Sequence, residues 1–242
     1  MIFADPPYML SNDGFTCQAG RMVSVNKGKW DKSKGFEEDL KFHEAWLSDC
    51  KRVLKPEGTI WVSGTYHSIY QCGFLLQKLG YHILNDISWF KPNAAPNLSC
   101  RFFTASHETL IWARKDIKAK HIFNYEVMKN GKFGKDFLKI QDKQMRSVWA
   151  IGTTKPEEKK FGKHNTQKPL ELLTRIILAS TKKDNIILDP FNGSGTTGIA
   201  SKIIGERKYI GVELEKNFID ITIKRYNELS FNEESSLNFK SA

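Results

Sequence analysis

The chain has 242 residues, 37 Lys and Arg against 27 Asp and Glu, and a formal net charge of +10. With 40% hydrophobic and 12% aromatic residues it has the apolar mass for a core, which excludes wholesale disorder, and its length suits one domain or one with a small insertion. The apolar runs fall short of the ~18–20 residues of a bilayer span, and the N-terminal Met-Ile-Phe-Ala-Asp-Pro-Pro-Tyr has neither the basic nor the apolar region of a secretory leader.

In chain order, Ile2-Phe3-Ala4 reads as the tail of a buried strand running straight into Asp5-Pro6-Pro7-Tyr8. Residues 9–35, rich in Gly, Asn, Ser and Lys, read as one long loop, a length that is usually functional. Apolar residues from Phe36 to Leu54 recur at helical spacing, and Pro56-Glu57-Gly58 stops that helix. Thr59–Ser63 is a short strand, Ile69–Leu79 a helix closed by Gly80, and Tyr81–Phe90 and Thr109–Ala113 two more strands. Residues 115–165, dense in Lys, read as an insertion of mixed short elements. Then come a helix over Pro169–Ser180, a strand over Ile186–Asp189, a tight turn at Asn192–Gly195 and a helix over Thr196–Ile204. A strand over Lys208–Glu213 and a helix over Glu215–Leu229 follow, and residues 230–242 form a polar, frayed tail. Strands alternating with helices imply an α/β domain with a parallel sheet. The cysteines, Cys17, Cys50, Cys72 and Cys100, stand in no CxxC pair, so neither zinc nor a disulfide framework is expected, and a reduced, cytoplasmic protein fits. The basic charge points to an anionic partner, with nucleic acid first.

Two motifs carry chemistry. In Asp189-Pro190-Phe191-Asn192-Gly193-Ser194-Gly195 the glycines of a strand-to-helix turn let a ligand approach the backbone. Glu213, at the end of the following strand, is placed to accept from ribose hydroxyls. The full GxGxxG is absent, so a nucleoside without a pyrophosphate fits better than a dinucleotide, and a plain dehydrogenase is disfavoured; the bland alternative is an ordinary glycine-rich turn. In Asp5-Pro6-Pro7-Tyr8 the prolines remove two donors and leave the Pro6 carbonyl free to accept. Asp5 is a second acceptor and Tyr8 an aromatic face, and together they match an exocyclic amino group on a planar base. The bland alternative there is a proline-rich strand exit.

Taken together the motifs resemble the S-adenosyl-L-methionine-dependent amino-methyltransferases of DNA, and their order, catalytic before cofactor, resembles the β class. His164-Asn165-Thr166-Gln167-Lys168-Pro169 looks like that class's H-x-T-Q-K-P element, which helps hold the cofactor's methionine moiety. Ile87–Lys91, Ala95-Pro96-Asn97 and His107–Ala113 resemble adenine methyltransferases of GATC and GANTC specificity, the latter of HinfI and cell-cycle type. Ala95-Pro96-Asn97-Leu98-Ser99-Cys100-Arg101 is closest to the accessory GATC enzyme of DpnII-type restriction systems. The likeness runs from Ile2 to about Leu229.

The resemblance implies one Rossmann-like α/β methyltransferase domain over residues 1–242 with a mostly parallel central sheet. It also implies that the chain lacks a strand and helix which family members carry ahead of Asp-Pro-Pro-Tyr, with an acidic element near the cofactor adenine. Asp5, Pro6, Pro7 and Tyr8 are the expected catalytic set, with Tyr8 stacked on a flipped adenine. Asp189, Phe191, Asn192, Gly193, Ser194, Gly195, Thr196, Glu213, Gln167, Lys168 and Pro169 are expected to bind S-adenosylmethionine. Residues 9–35 would be a mobile loop closing on the base, and residues 119–163 the target-recognition insertion. Trp30, Asn97, Arg101, Lys129, Lys132 and Arg146 are the expected DNA contacts, with Lys135, Lys139 and Lys143 as further phosphate candidates against the reading of a solvated lysine face. His107 and Glu108 are expected to fill a core or loop role rather than a catalytic one. The expected partner is duplex or single-stranded DNA, with a possible homodimer, a cognate restriction endonuclease encoded nearby, and no metal or membrane. The competing readings are a cytosine N4 methyltransferase, in which Ser more often replaces Asp5; an RNA or protein-amide methyltransferase, disfavoured by motif order; and a truncated relic that binds DNA without turnover.

Overall fold

Strand β1 (Ile2–Ala4) is the hinge of the architecture. In the computed structural model, which describes residues 1–11, 15–18, 21–24, 28–133, 136–162 and 164–231, this three-residue strand is fully buried. Its side chains alternate between two cores: Ile2 joins the one built on α1 (Phe36–Val53) and α2 (Ile69–Lys78), and Phe3 the one built on α4 (Leu170–Ser180). Burial on both faces is why so short a strand is wholly apolar.

Among the described residues the central sheet has seven strands. On one side of β1 lie β4 (Thr59–Gly64), β6 (His107–Arg114), β5 (His82–Phe90) and β7 (Val148–Ala150). On the other lie β8 (Ile186–Asp189) and β9 (Lys208–Gly211). All run parallel except β6, which is antiparallel to both β4 and β5. The central sheet is thus mostly parallel, as expected. The chain leaves β1 towards β4 and returns to its other side as β8, so the order reverses at β1, and a cleft opens beyond the carboxyl ends of β1 and β8. Helices α5 (Thr196–Ile204) and α6 (Lys216–Phe231) complete the layers.

One expectation needs correcting. The stretch 9–35 is not loop throughout: β2 (Phe15–Gln18) and β3 (Arg21–Ser24) form an antiparallel hairpin, and Lys29–Asp31 is a 3-10 turn. The Lys-rich insertion has the mixed short elements expected of it and is built into the body of the domain. It carries α3 (Tyr125–Asn130) and gives β7 to the sheet, while Met128, Trp149 and Ile151 enter the α4-side core. Arg175 of α4 anchors it through a fully buried ion pair with Asp136, its guanidinium 4.9 Å from the Phe133 ring and 5.1 Å from the Trp149 ring. Of the tail expected at 230–242, the first two residues continue α6 and the rest lies outside the described residues. No helix among the described residues is long and apolar enough to cross a membrane.

Candidate active site

Pro6 and Pro7 contribute no N–H, so the loop leaving β1 cannot be held by ordinary turn hydrogen bonds at those positions. A carboxylate holds it from outside. Asp31, 1% exposed, accepts from the backbone N–H of Tyr8 and of Met9 at 2.9 Å each, from Leu10 N–H at 3.1 Å and from the Ser11 hydroxyl at 2.9 Å. Successive N–H groups converging on one anion form a clamp. Among the described residues none donates to the Pro6 carbonyl.

Asp5 stands in a buried cluster of charges. Its Oδ1 accepts from the Tyr8 hydroxyl at 2.7 Å and its Oδ2 from Lys168 Nζ at 2.8 Å. Glu108, at the start of β6, accepts from the same Tyr8 hydroxyl at 2.9 Å, lies 3.5 Å from the same Lys168 Nζ, and takes Lys91 on its other oxygen. Ser63 Oγ is 2.9 Å from the Tyr8 oxygen. Burial works to raise the Glu108 carboxyl, but Lys168 and Lys91 outweigh it and hold it at about 2. Burial also raises Asp5; there Lys168 opposes the rise and Glu108 adds to it, and the outcome is upward. Burial works to lower Lys168, and the two carboxylates carry it up instead. Tyr8, expected to offer an aromatic face to the base, is 6% exposed and borders the cavity described below, with Lys168 Nζ 4.9 Å from its ring centre. Lys168, expected at the cofactor, is joined to Asp5. Glu108, expected in a core or loop role, is a member of this cluster.

The glycine-rich turn is built by its own polar side chains. Asp189 accepts from Phe191 N–H at 3.0 Å and from the Thr197 hydroxyl at 2.6 Å, and burial lifts its carboxyl to about 7. Gly195 has φ +78°, and a Cβ there would come within 2.4 Å of Thr222. Asn192 donates to Thr222 and the Gly193 carbonyl and accepts from Tyr209. Arg225 donates to the Ser194 carbonyl and to the Thr196 hydroxyl. Glu213, half-buried, accepts from Gly193 N–H at 2.7 Å and from Leu214 and Glu215 N–H at 2.9 and 3.0 Å. Gln167 accepts from Ser194 and donates to the Glu158 carbonyl, and Pro169 opens α4. The ring of His164 stacks on Trp30 at 6.1 Å and meets Phe218 edge-on at 4.3 Å. Trp46 meets Phe191 edge-on at 5.4 Å.

Both motifs, from opposite ends of the chain, line one cavity of about 760 Å³. Asp5, Pro6, Pro7 and Tyr8 border it together with Gln167, Lys168, Asp189, Phe191, Asn192, Gly193, Ser194, Thr196 and Glu213. Pro169 and Gly195 are not among the residues that border it. The family model described as DNA methylase matches residues 1–224. The chain belongs to the DNA methylase family. It is 54% identical over 229 residues to the type II methyltransferase M2.LlaDCHI of Lactococcus lactis subsp. cremoris, covering 94% of this chain and 82% of that protein. It is also 54% identical over 226 residues to the type II methyltransferase M2.DpnII of Streptococcus pneumoniae, covering 93% and 81%. The crystal structure of the M1.HpyAVI–SAM complex superposes with a TM-score of 0.66 at 29% identity, over 93% of this chain and 87% of that one.

The methylase uses S-adenosylmethionine, and its residues fit that group. The turn at Gly193 brings bare backbone to the cavity, the half-buried Glu213 faces it as an acceptor, and Trp30, Phe191 and Phe218 give it apolar walls. The cavity suits a nucleoside-sized ligand. Of the expected DNA contacts only Trp30 lines this cavity. Asn97 is engaged within its own loop, donating to the Phe102 carbonyl and accepting from Ser99. Arg101, Lys132 and Arg146 are exposed and Lys129 is half-buried. Lys139 is tied by its ammonium to the carbonyls of Lys129, Ile140 and Lys143, and Lys135 lies outside the described residues. Sequence reasoning missed Ser63, gave Glu108 a core or loop role, and saw Lys91 and Asp31 only within stretches that resemble the family. Strand alternation held a signal for Glu108, which shares a face of β6 with the core residues Leu110 and Trp112.

Proposed function

We propose that this DNA methylase transfers a methyl group from S-adenosylmethionine to the exocyclic N6 amino group of an adenine flipped from a short specific DNA sequence. GATC is the first choice of target, from the likeness at residues 95–101, and GANTC the second. The observation that carries the reading is the single cavity with Asp5 and Pro6 at one end and the glycine turn with Glu213 at the other.

When bound, S-adenosylmethionine supplies an electrophilic methyl group. Asp5 accepts one amino hydrogen of the adenine and the Pro6 carbonyl the other. These bonds draw the nitrogen's lone pair out of conjugation with the ring and aim it along the cavity. Positioning dominates because the nitrogen is a poor nucleophile. As nitrogen gains positive charge, the Asp5 carboxylate stabilises it and then takes the departing proton to solvent. Tyr8 walls the base slot, and Glu213 with Gln167 and Asn192 holds the cofactor. Arg101, Lys132 and Arg146, with Lys129, Asn97 and Trp30, face the DNA, positioning it through phosphates more than reading it. The enzyme works in the cytoplasm as the modification partner of a restriction endonuclease encoded nearby, and forms a homodimer.

The test is transfer of radiolabelled methyl to single- and double-stranded oligonucleotides containing GATC, GANTC or neither, followed by nucleoside analysis. N6-methyladenine in GATC substrates alone is expected. N4-methylcytosine, or label independent of sequence, would overturn the reading.

A further inference from the structure

We propose that Glu108 and Lys168 are a coupled pair of positioning residues that set the ionisation and aim of the Asp5 carboxylate, and so the pH range of methyl transfer. This rests on the reading of Asp5 as the amino acceptor. The geometry is one ammonium shared by two carboxylates: Lys168 Nζ lies 2.8 Å from Asp5 and 3.5 Å from Glu108. Lys91 pairs with Glu108. The same two carboxylates converge on the Tyr8 hydroxyl, at 2.7 and 2.9 Å. A phenol has one hydrogen, so it serves only one of them at a time.

The cluster therefore has a fixed inventory: two carboxylates, two ammonium groups and one phenolic proton. Lys168 is the cation that Asp5 uses. Without it Asp5 faces Glu108 across a single hydrogen, in a buried site, and like charges this close cannot both stay ionised. Lys91 keeps Glu108 ionised, so Asp5 is the group that takes a proton. A protonated Asp5 is a weaker acceptor and points a hydrogen where the amino group must come. Glu108 acts in the opposite sense: its charge competes for Lys168 and disfavours ionisation of Asp5. It also ties Lys168 and the Tyr8 hydroxyl to β6, which fixes their direction. The charged or titratable groups facing Asp5 are Tyr8 on its own loop, Lys168 ahead of α4, Glu108 on β6 and Asp189 at the end of β8. Lys91 reaches the cluster through Glu108.

The two positions must then move activity in opposite directions along the pH axis. The experiment measures kcat and the KM for S-adenosylmethionine between pH 4.5 and 9 for the wild-type chain, Lys168→Met, Lys168→Arg, Glu108→Gln and Asp5→Asn, with thermal melts of each. Lys168→Met is expected to shift the acid limb of kcat upward by about one pH unit or more, leaving the KM within about threefold. Lys168→Arg should return the limb towards its original place. Glu108→Gln, which leaves Lys168 wholly to Asp5, is expected to shift the limb downward. Shifts in the same direction, or an unmoved limb in Glu108→Gln, would overturn the pairing, and that second readout stands even if Lys168→Met does not fold. A large rise in the KM of Lys168→Met with its pH profile unchanged would instead make Lys168 a cofactor ligand and also overturn it. Asp5→Asn is expected to abolish transfer. Full activity there would remove the Asp5 reading and the pairing with it, whereas lost activity beside unmoved limbs removes the pairing alone.

Discussion

The carboxylate of Asp31 is hydrogen-bonded to the backbone N–H of Tyr8 at 2.9 Å, across more than twenty residues of intervening chain. The same carboxylate reaches Met9, Leu10 and Ser11, so a single buried side chain holds the loop that follows the two prolines. Asp31→Asn turns part of the clamp from acceptor to donor and opposes donor to donor. Each buried group left unsatisfied costs about 1–3 kcal/mol. The displaced Pro6 carbonyl should lower kcat by roughly ten- to a hundredfold, while affinity for S-adenosylmethionine stays close to wild type. Isothermal titration beside single-turnover transfer measures both. Equal losses in the two would mean that Asp31 holds the whole cavity rather than the loop.

Tyr8 can act through its ring or through its hydroxyl, and the two are separable. Its hydroxyl holds Asp5, Glu108 and Ser63, whereas its ring lines the cavity. Tyr8→Phe should slow transfer by about tenfold, the worth of one net hydrogen bond to a charged group. Tyr8→Ala should slow it by a further tenfold or more through the lost ring face. Single-turnover rates on one GATC oligonucleotide decide this. Equal rates for the Phe and Ala variants would assign the whole effect to the hydroxyl.

Glu213 is fixed by three backbone N–H groups, at Gly193, Leu214 and Glu215. Those bonds aim its carboxylate at the cavity and hold the glycine turn against the end of β9. Glu213→Ala should weaken S-adenosylmethionine binding by roughly ten- to a hundredfold, the range for hydrogen bonds to a charged group. Calorimetric titration is the direct measurement, and unchanged affinity would remove Glu213 from the cofactor site.

Asp189 makes stability depend on pH. Its carboxyl is lifted to about 7 by burial, from an ordinary value of 3.8. Between those values the folded chain keeps the proton and the unfolded chain has released it. Stability therefore falls as pH rises through this window and levels off above it. The effect is on the order of a few kcal/mol. Asp189→Asn keeps the acceptor for Phe191 N–H and should flatten this component. Urea midpoints of the two proteins from pH 4 to 7.5 are expected to diverge in that sense. Parallel curves would show that Asp189 is ionised in the folded chain.

Arg175 is the anchor of the Lys-rich insertion. Its ion pair with Asp136 is fully buried, and Asp136 also accepts from the N–H of Ala150, the last residue of β7, at 3.1 Å. Arg175→Met leaves that carboxylate without its cation. The expected loss is about 3–5 kcal/mol, seen as a lower thermal midpoint with residues 119–162 protected least in hydrogen exchange. A loss under about 1 kcal/mol would mean that packing on the Trp149 ring, not charge, does the anchoring.

Local chemistry alone determined a good part of this protein. Helical spacing marked α1, α2, α4 and α5 to within a residue or two, because an amphipathic period is written directly in neighbouring side chains. The prolines after Ala4 and the glycines after Asn192 marked both motif turns, because those residues restrict or release the backbone wherever they stand. Strand direction was not legible: β6 is antiparallel because of how the chain enters it, and alternation is the same in either direction. The hairpin at 15–24 escaped for a related reason, since its four-residue strands are too short to show a period. Only the tertiary structure decided which charges meet. Lys168 and Asp5 stand 163 residues apart in the chain, and Glu108 comes from a third element. They become neighbours because β1, the start of α4 and the start of β6 converge at one end of the sheet. Burial there is what makes their pairing matter: an ammonium in water would be one more member of a +10 surface, whereas here it governs how the carboxylate beside it holds its charge.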